Sequence, residues 1–138
     1  MPQKNPILEA KRYMQNAVDI LSEKAGKGKE MPNYYSDQKY VRMAGNTAWN
    51  GCLIALEAVL EVKKTKGKNV RPDFQDYIYA LSKIDKKALY FTDSAYELLH
   101  KSLGYDGILK ADIVKSAMED GNKIIDWCEK KYNPLLEG

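Results

Sequence analysis

The sequence predicts an all-α fold, an up-and-down antiparallel bundle of four to five helices around a small-residue central helix over about 36–63. Three observations predict it. One segment carries small residues along a single stripe. Other segments repeat apolar residues at 3-4-3-4 spacing. No segment shows sustained period-2 alternation, so no strand is expected.

The first helix opens at Asn5-Pro6, a capping side chain followed by proline at the first helical position. Ile7, Ala10, Met14, Ala17 and Leu21 form its core face, and Ala25-Gly26 closes it, glycine being suited to the left-handed cap. A basic loop, Lys27 to Tyr35, follows with Gly28 and Pro32. The second helix starts near Ser36 or Asp37. Set at about 100° per residue, its Ala44, Ala48, Gly51, Cys52, Ala55, Ala58 and Val59 fall within roughly 120° of one another. Trp49, Leu56 and Leu60 widen that stripe, and Asn46, Asn50, Glu57 and Glu61 make the polar edge. Small side chains let backbones approach, so this helix is expected at the centre. Glu57 and Glu61, one turn apart, are expected to pair with lysines of a neighbour or to stay solvated, the alternative being a cation site.

A second basic loop holds Lys63, Lys64, Lys66, Lys68 and Arg71. Helix three begins at Pro72-Asp73, with Phe74, Tyr77, Ile78, Leu81 and Ile84 as its inward stripe. Helix four runs from about Asp85 to Leu103 with Ala88, Leu89, Thr92, Ala95, Leu99 and Leu103 inward. Neither proline nor glycine separates the two, so they form one bent helix or break near Asp85. The Gly104-Tyr105-Asp106-Gly107 turn precedes helix five, about Lys110 to Tyr132, which packs through Val114, Ala117, Gly121, Ile124 and Cys128. Pro134 stops it.

The chain has 138 residues and reads as one domain, 1–138, large enough to bury a core without staples. Its net charge of +3 gives no bulk argument for nucleic acid. Cys52 and Cys128 lack metal-site spacing and read as buried, reduced thiols. The start has no apolar leader and no run is long enough for a bilayer, so a cytoplasmic location without membrane contact is expected.

A single histidine, His100, excludes paired-histidine zinc sites. Glu97-x-x-His100 matches half of a di-iron bundle's ligand pattern, and the second copy is missing. No glycine-rich phosphate loop occurs. Neither a metal nor a cofactor is expected. The one candidate for acid-base chemistry is His100 with Tyr96 one turn before it, and with Tyr105 and Asp106 in the following turn. Asp106 would orient the imidazole. Asn46 and Asn50, one turn apart beside Trp49, suggest interhelical bonds or a pocket for a small molecule. Tyr34, Tyr35 and Tyr40 cluster beside Lys29, Lys39 and Arg42. Rings so placed cover the bundle end, form a protein interface, or stack on bases.

Four stretches, Asn5 to Tyr13, Tyr40 to Gly45, Leu103 to Gly107 and Ile124 to Trp127, resemble an uncharacterised family of short helical proteins of Bacteroides-type bacteria. That resemblance spans nearly the whole chain and implies no activity. More distantly, Tyr40, Ala44, Ala48, Glu57 and Ala58 resemble the helix of HEPN-like bundles. Catalytic HEPN ribonucleases carry an arginine, then four to six residues, then a histidine. None of Arg12, Arg42 and Arg71 stands so before His100, and the resemblance then implies a non-catalytic bundle that binds a partner. The resulting expectation is an interaction module, a homodimer or a protein partner's receptor. Its alternatives are an RNA-binding or RNA-processing protein and a small-molecule binder.

Overall fold

The computed structural model describes residues 5–27, 31–60 and 72–132. The helix starts follow from local chemistry. The Asn5 side chain accepts from the amides of Ile7 and Leu8, with Pro6 beginning α1 (Pro6–Ile20). Asp37 caps α2 (Gln38–Val59) through the Lys39 amide. Asp73 and Asp76 form a reciprocal capping box at α3 (Phe74–Ser82). Asp85 accepts from Lys87 and Ala88 to start α4 (Lys86–Ala95). Helices three and four are therefore separate, broken at Asp85. The last helix is α5 (Ala111–Lys131).

Two helices change winding at their ends. The chain continues α1 as a π-helical turn, Leu21–Ala25, and α4 as a longer π-helical stretch, Tyr96–Leu103. The sequence periodicity does not distinguish these from α-helix, because Ala95, Leu99 and Leu103 stay inward in either winding. Gly26 follows the first with φ 59 and ψ 158, a positive φ that suits glycine but not the left-handed cap that was expected.

The contacts give the directions of the helices. Ser36 bonds Ala25 and Gly51 lies against Ala10 and Tyr13, so α1 and α2 are antiparallel. Trp49 meets Tyr96 and His100 while Gly45 meets Leu99 and Leu103, so α2 also runs against the π-helical stretch. The α4–α5 pair is antiparallel too, joined by Trp127 to Asp85 and by Ser94 to Asp120. The bundle is all-α and alternates up and down through α1, α2, α4 and α5. Of two isolated bridges, Lys27 with Tyr35 closes the loop between α1 and α2 on itself, and Tyr34 with Lys110 ties that loop to the start of α5.

The core confirms the small-residue stripe. Ala44, Ala48, Cys52, Ala55 and Leu56 are fully buried, and Asn46, Asn50 and Glu57 lie on the exposed edge. Glu57 accepts a hydrogen bond from the Tyr77 hydroxyl at 2.7 Å. Glu61 and the basic residues from Lys63 to Arg71 lie outside the described residues, as do Gly28 and Lys29. Ile84, expected inward, is 55% exposed, because α3 ends at Ser82 and Ile84 falls in the turn to α4.

Both cysteines are free and buried. Burial pushes the Cys128 thiol up to about 12 and raises the Cys52 thiol further, with Cys128 adding to the shift. The Thr92 hydroxyl is buried without a hydrogen-bond partner among the described residues. An unsatisfied buried hydroxyl costs about 1–3 kcal/mol. Thr92→Val keeps the shape and removes it, so a gain of about 1 kcal/mol is expected in urea unfolding.

Asp85 does more than start α4. Its carboxylate also accepts the Trp127 indole N–H at 3.0 Å. The carboxyl is held below the usual range, first by the Ala88 amide and then by the indole, with the Lys87 amide and the Lys131 charge acting in the same direction. A depressed folded-state pKa means that this contribution is present above the unfolded value of about 4 and is lost as pH falls through the folded value. Acid titration in a Trp49→Phe background should therefore shift Trp127 emission below pH about 4. Asp85→Asn should remove that transition.

Candidate functional site

The face of α2 that carries Gln38, Arg42 and Asn46 packs along the turn after the π-helical stretch. Gln38 Nε2 donates to the Asp106 carbonyl at 2.9 Å, and Asn46 Nδ2 donates to the Gly104 carbonyl at 3.3 Å. Gly107 sits between them at φ 65, where an added Cβ would come within 2.4 Å of Gln38 Cγ. That turn therefore requires glycine on grounds of both conformation and space.

One helical turn further on, α2 places Trp49 inward against three rings. Its ring centroid lies 6.1 Å from Phe74, 5.5 Å from Tyr96 and 6.3 Å from His100. Those rings also form a column. Phe74 and Tyr96 stack at 3.8 Å with 10° between planes, and Tyr96 and His100 stack at 5.2 Å with 24°. Trp49 is buried at the back of the column, Phe74 and Tyr96 are half-buried, and His100 stands exposed at the end. Lys101 lies over Tyr96 at 5.1 Å and pairs with Glu97 at 3.1 Å, which raises the lysine's pKa above its ordinary range.

The structure thus brings Asn46, Trp49, Tyr96 and His100 to one face. The His100 imidazole, which Asp106 was expected to orient, is exposed and stacked on Tyr96, with no hydrogen bond to it among the described residues. Tyr105 is 80% exposed, and Asp106 is exposed with its backbone carbonyl bonded to Gln38. Asn50 is exposed one turn beyond Asn46. Glu97, half of the suspected metal pattern, pairs with Lys101. No group of three potential metal ligands converges among the described residues. Phe74 escaped the sequence reading as a member of this cluster, because it comes from another helix and no spacing links it to Tyr96.

A second feature lies at the bundle end, where the tyrosines were expected. Tyr35 lines a groove of about 760 Å³ between the end of α1, residues 32–35 and the start of α5. Val18, Leu21, Val114 and Met118 supply its apolar surface, and Lys27, Asp112, Lys115 and Glu119 its charged surface. Burial raises the Tyr35 phenol above its ordinary pKa. Met31 and Tyr34 stand exposed beside the groove, whereas Tyr40 is half-buried against the core. Neither this groove nor the cleft between α4 and α5 is lined by Asn46, Trp49 or Asn50. No described helix is long and apolar enough to cross a membrane.

A family model with the description "Domain of unknown function (DUF5618)" matches residues 5–130. A solved structure, a protein of unknown function from Dyadobacter fermentans, is 40% identical, with a TM-score of 0.77 over 91% of this chain and 93% of its own. No curated protein matches the chain.

Proposed function

The chain belongs to the family described as a domain of unknown function (DUF5618), and from its surfaces we propose that it is a non-catalytic helical interaction module of the cytoplasm. It pairs with a second copy of itself or with a protein partner through the groove beside Tyr34 and Tyr35. The observation that carries this reading is the groove's make-up: an apolar floor, charged residues of both signs and an aromatic edge, the composition of a protein interface. Met31 and Tyr34 supply protruding apolar groups next to the recess. Projection and recess side by side are what a two-fold pairing needs, since each copy offers both. Lys27 and Lys115 with Asp112 and Glu119 allow opposite charges to meet across such an axis. Two free buried thiols support a reducing compartment.

Sedimentation velocity over concentrations up to about 0.5 mM tests this. A dimer is expected, weakened at least about tenfold by Val18→Glu at the partly exposed groove wall. A protein partner in its place should protect the groove from hydrogen exchange and lose affinity with the same variant. A monomer at every concentration, with no groove protection by any bound partner, overturns the reading.

The ring column favours a second reading, single-stranded RNA binding of the HEPN-like kind. Stacked rings with an exposed imidazole at the end offer a face to a base, and Lys101 adds a cation nearby. His100→Ala should then weaken RNA binding several-fold without changing the melting temperature. Unchanged binding removes this reading.

A further inference from the structure

The cleft between α4 and α5, outside both features above, is built from two matching stripes. On α4, Lys87, Tyr90 and Phe91 fall on adjacent turns; on α5, Lys123, Trp127 and Lys130 do the same. Because the helices are antiparallel, the stripes face each other around a volume of about 620 Å³. That size suits a small organic ligand. Tyr90 is 70% exposed, so the cleft opens to solvent.

The charges are left available. Lys87 and Lys130 have no ion-pair partner among the described residues, and Lys123 reaches Asp120 only at 3.9 Å. Of the two carboxylates in the lining, Asp85 is committed to the Trp127 indole and the start of α4, while Asp126 stays exposed. The Asp85 bond also fixes the indole ring, so stacking on it costs little ordering. Lys131, 5.6 Å from the Trp127 ring centroid, adds positive charge beside the cleft.

We propose that this cleft binds a nucleotide, its base against Trp127, Phe91 and Tyr90 and its phosphate between Lys87, Lys123 and Lys130. Aromatic rings and ammonium groups answer the two halves of that ligand, a flat π-surface and an adjacent anion. The same chemistry is offered by a free mononucleotide and by one unit of a single strand, and the test separates them.

Adenosine 5′-monophosphate and an eight-residue oligoadenylate RNA are titrated while the Trp127 and Trp49 indole N–H resonances are followed. The expected result is a shift at Trp127 with Trp49 unmoved. Lys87→Glu with Lys130→Glu should weaken binding at least about tenfold, and the Gln pair by less. Both lysines are exposed, and an unchanged melting temperature verifies the fold. An octamer at least tenfold tighter than the mononucleotide identifies a strand as the source; equal affinity identifies the free nucleotide. The proposal is overturned if neither probe moves Trp127 at about 5 mM, or if the charge variants bind as well as the parent. Inorganic phosphate competing as strongly as the mononucleotide also overturns it, since the rings would then contribute nothing.

Discussion

Gly45→Val is expected to cost at least about 3 kcal/mol in urea unfolding followed by circular dichroism at 222 nm. At Gly45, α2 lies hard against the π-helical stretch. An added Cβ would lie 2.5 Å from Leu103 Cβ and 2.7 Å from both the Leu99 carbonyl oxygen and the Gly104 amide nitrogen. Two of those three neighbours are backbone, which cannot turn aside. The helices must separate, and the contacts around Ala44 and Ala48 loosen with them. Helix propensity acts the other way, since glycine inside a helix is about 1 kcal/mol worse than alanine. Gly45→Ala should therefore cost less than the valine variant, although it carries the same clashing Cβ, and the difference between them measures what the two γ-methyls add. Against a total stability of about 5–15 kcal/mol, the valine change removes about a fifth or more of what holds the fold.

The sequence shows that crossing in part. The run of Ala44, Ala48, Gly51 and Ala55 announces that α2 is closely approached, and Asn5-Pro6, Asp37, Asp73 and Asp85 announce where helices start. All of these are local signals, carried by side chains that act within one turn. The π-winding of Tyr96–Leu103 is not local in that sense. It accompanies the close fit of Gly45 and Gly104, residues far apart in the chain. The site divides along the same line. Trp49 with Asn46, and Tyr96 with His100, are visible as one-turn neighbours. Phe74 completes the column from beyond a loop. In the cleft, each lysine–aromatic stripe reads alone as an ordinary solvated face, and only the antiparallel docking of α4 on α5 turns two such faces into one recess.

Trp49→Ala is the second large effect, an expected loss of about 3–5 kcal/mol. The indole is 6% exposed and touches every ring of the column. Its removal leaves a void behind Phe74 and Tyr96, so the stack loses its backing as well as its own buried area. Near-ultraviolet circular dichroism should fall sharply while the helical signal of the folded fraction persists. Trp49→Phe keeps part of the contact and should cost clearly less than the alanine variant. If alanine and phenylalanine cost the same, the column does not depend on Trp49 for support.

The central position of α2 has a consequence for how the molecule breathes. This helix packs against α1, α5 and the π-helical stretch, so none of its middle turns is freed unless several helices part together. Amides around Ala48 and Cys52 should then trade hydrogen for deuterium only through whole-molecule opening, on the slowest timescale in the chain. The short α3 is held mainly by α4, the Phe74 ring and the Tyr77 side chain, and it can detach while the other helices stay assembled. Its amides should exchange by that smaller route. A protein whose central helix and cover helix keep such different clocks can uncover Trp49 and Tyr96, as Phe74 leaves with α3, without unfolding.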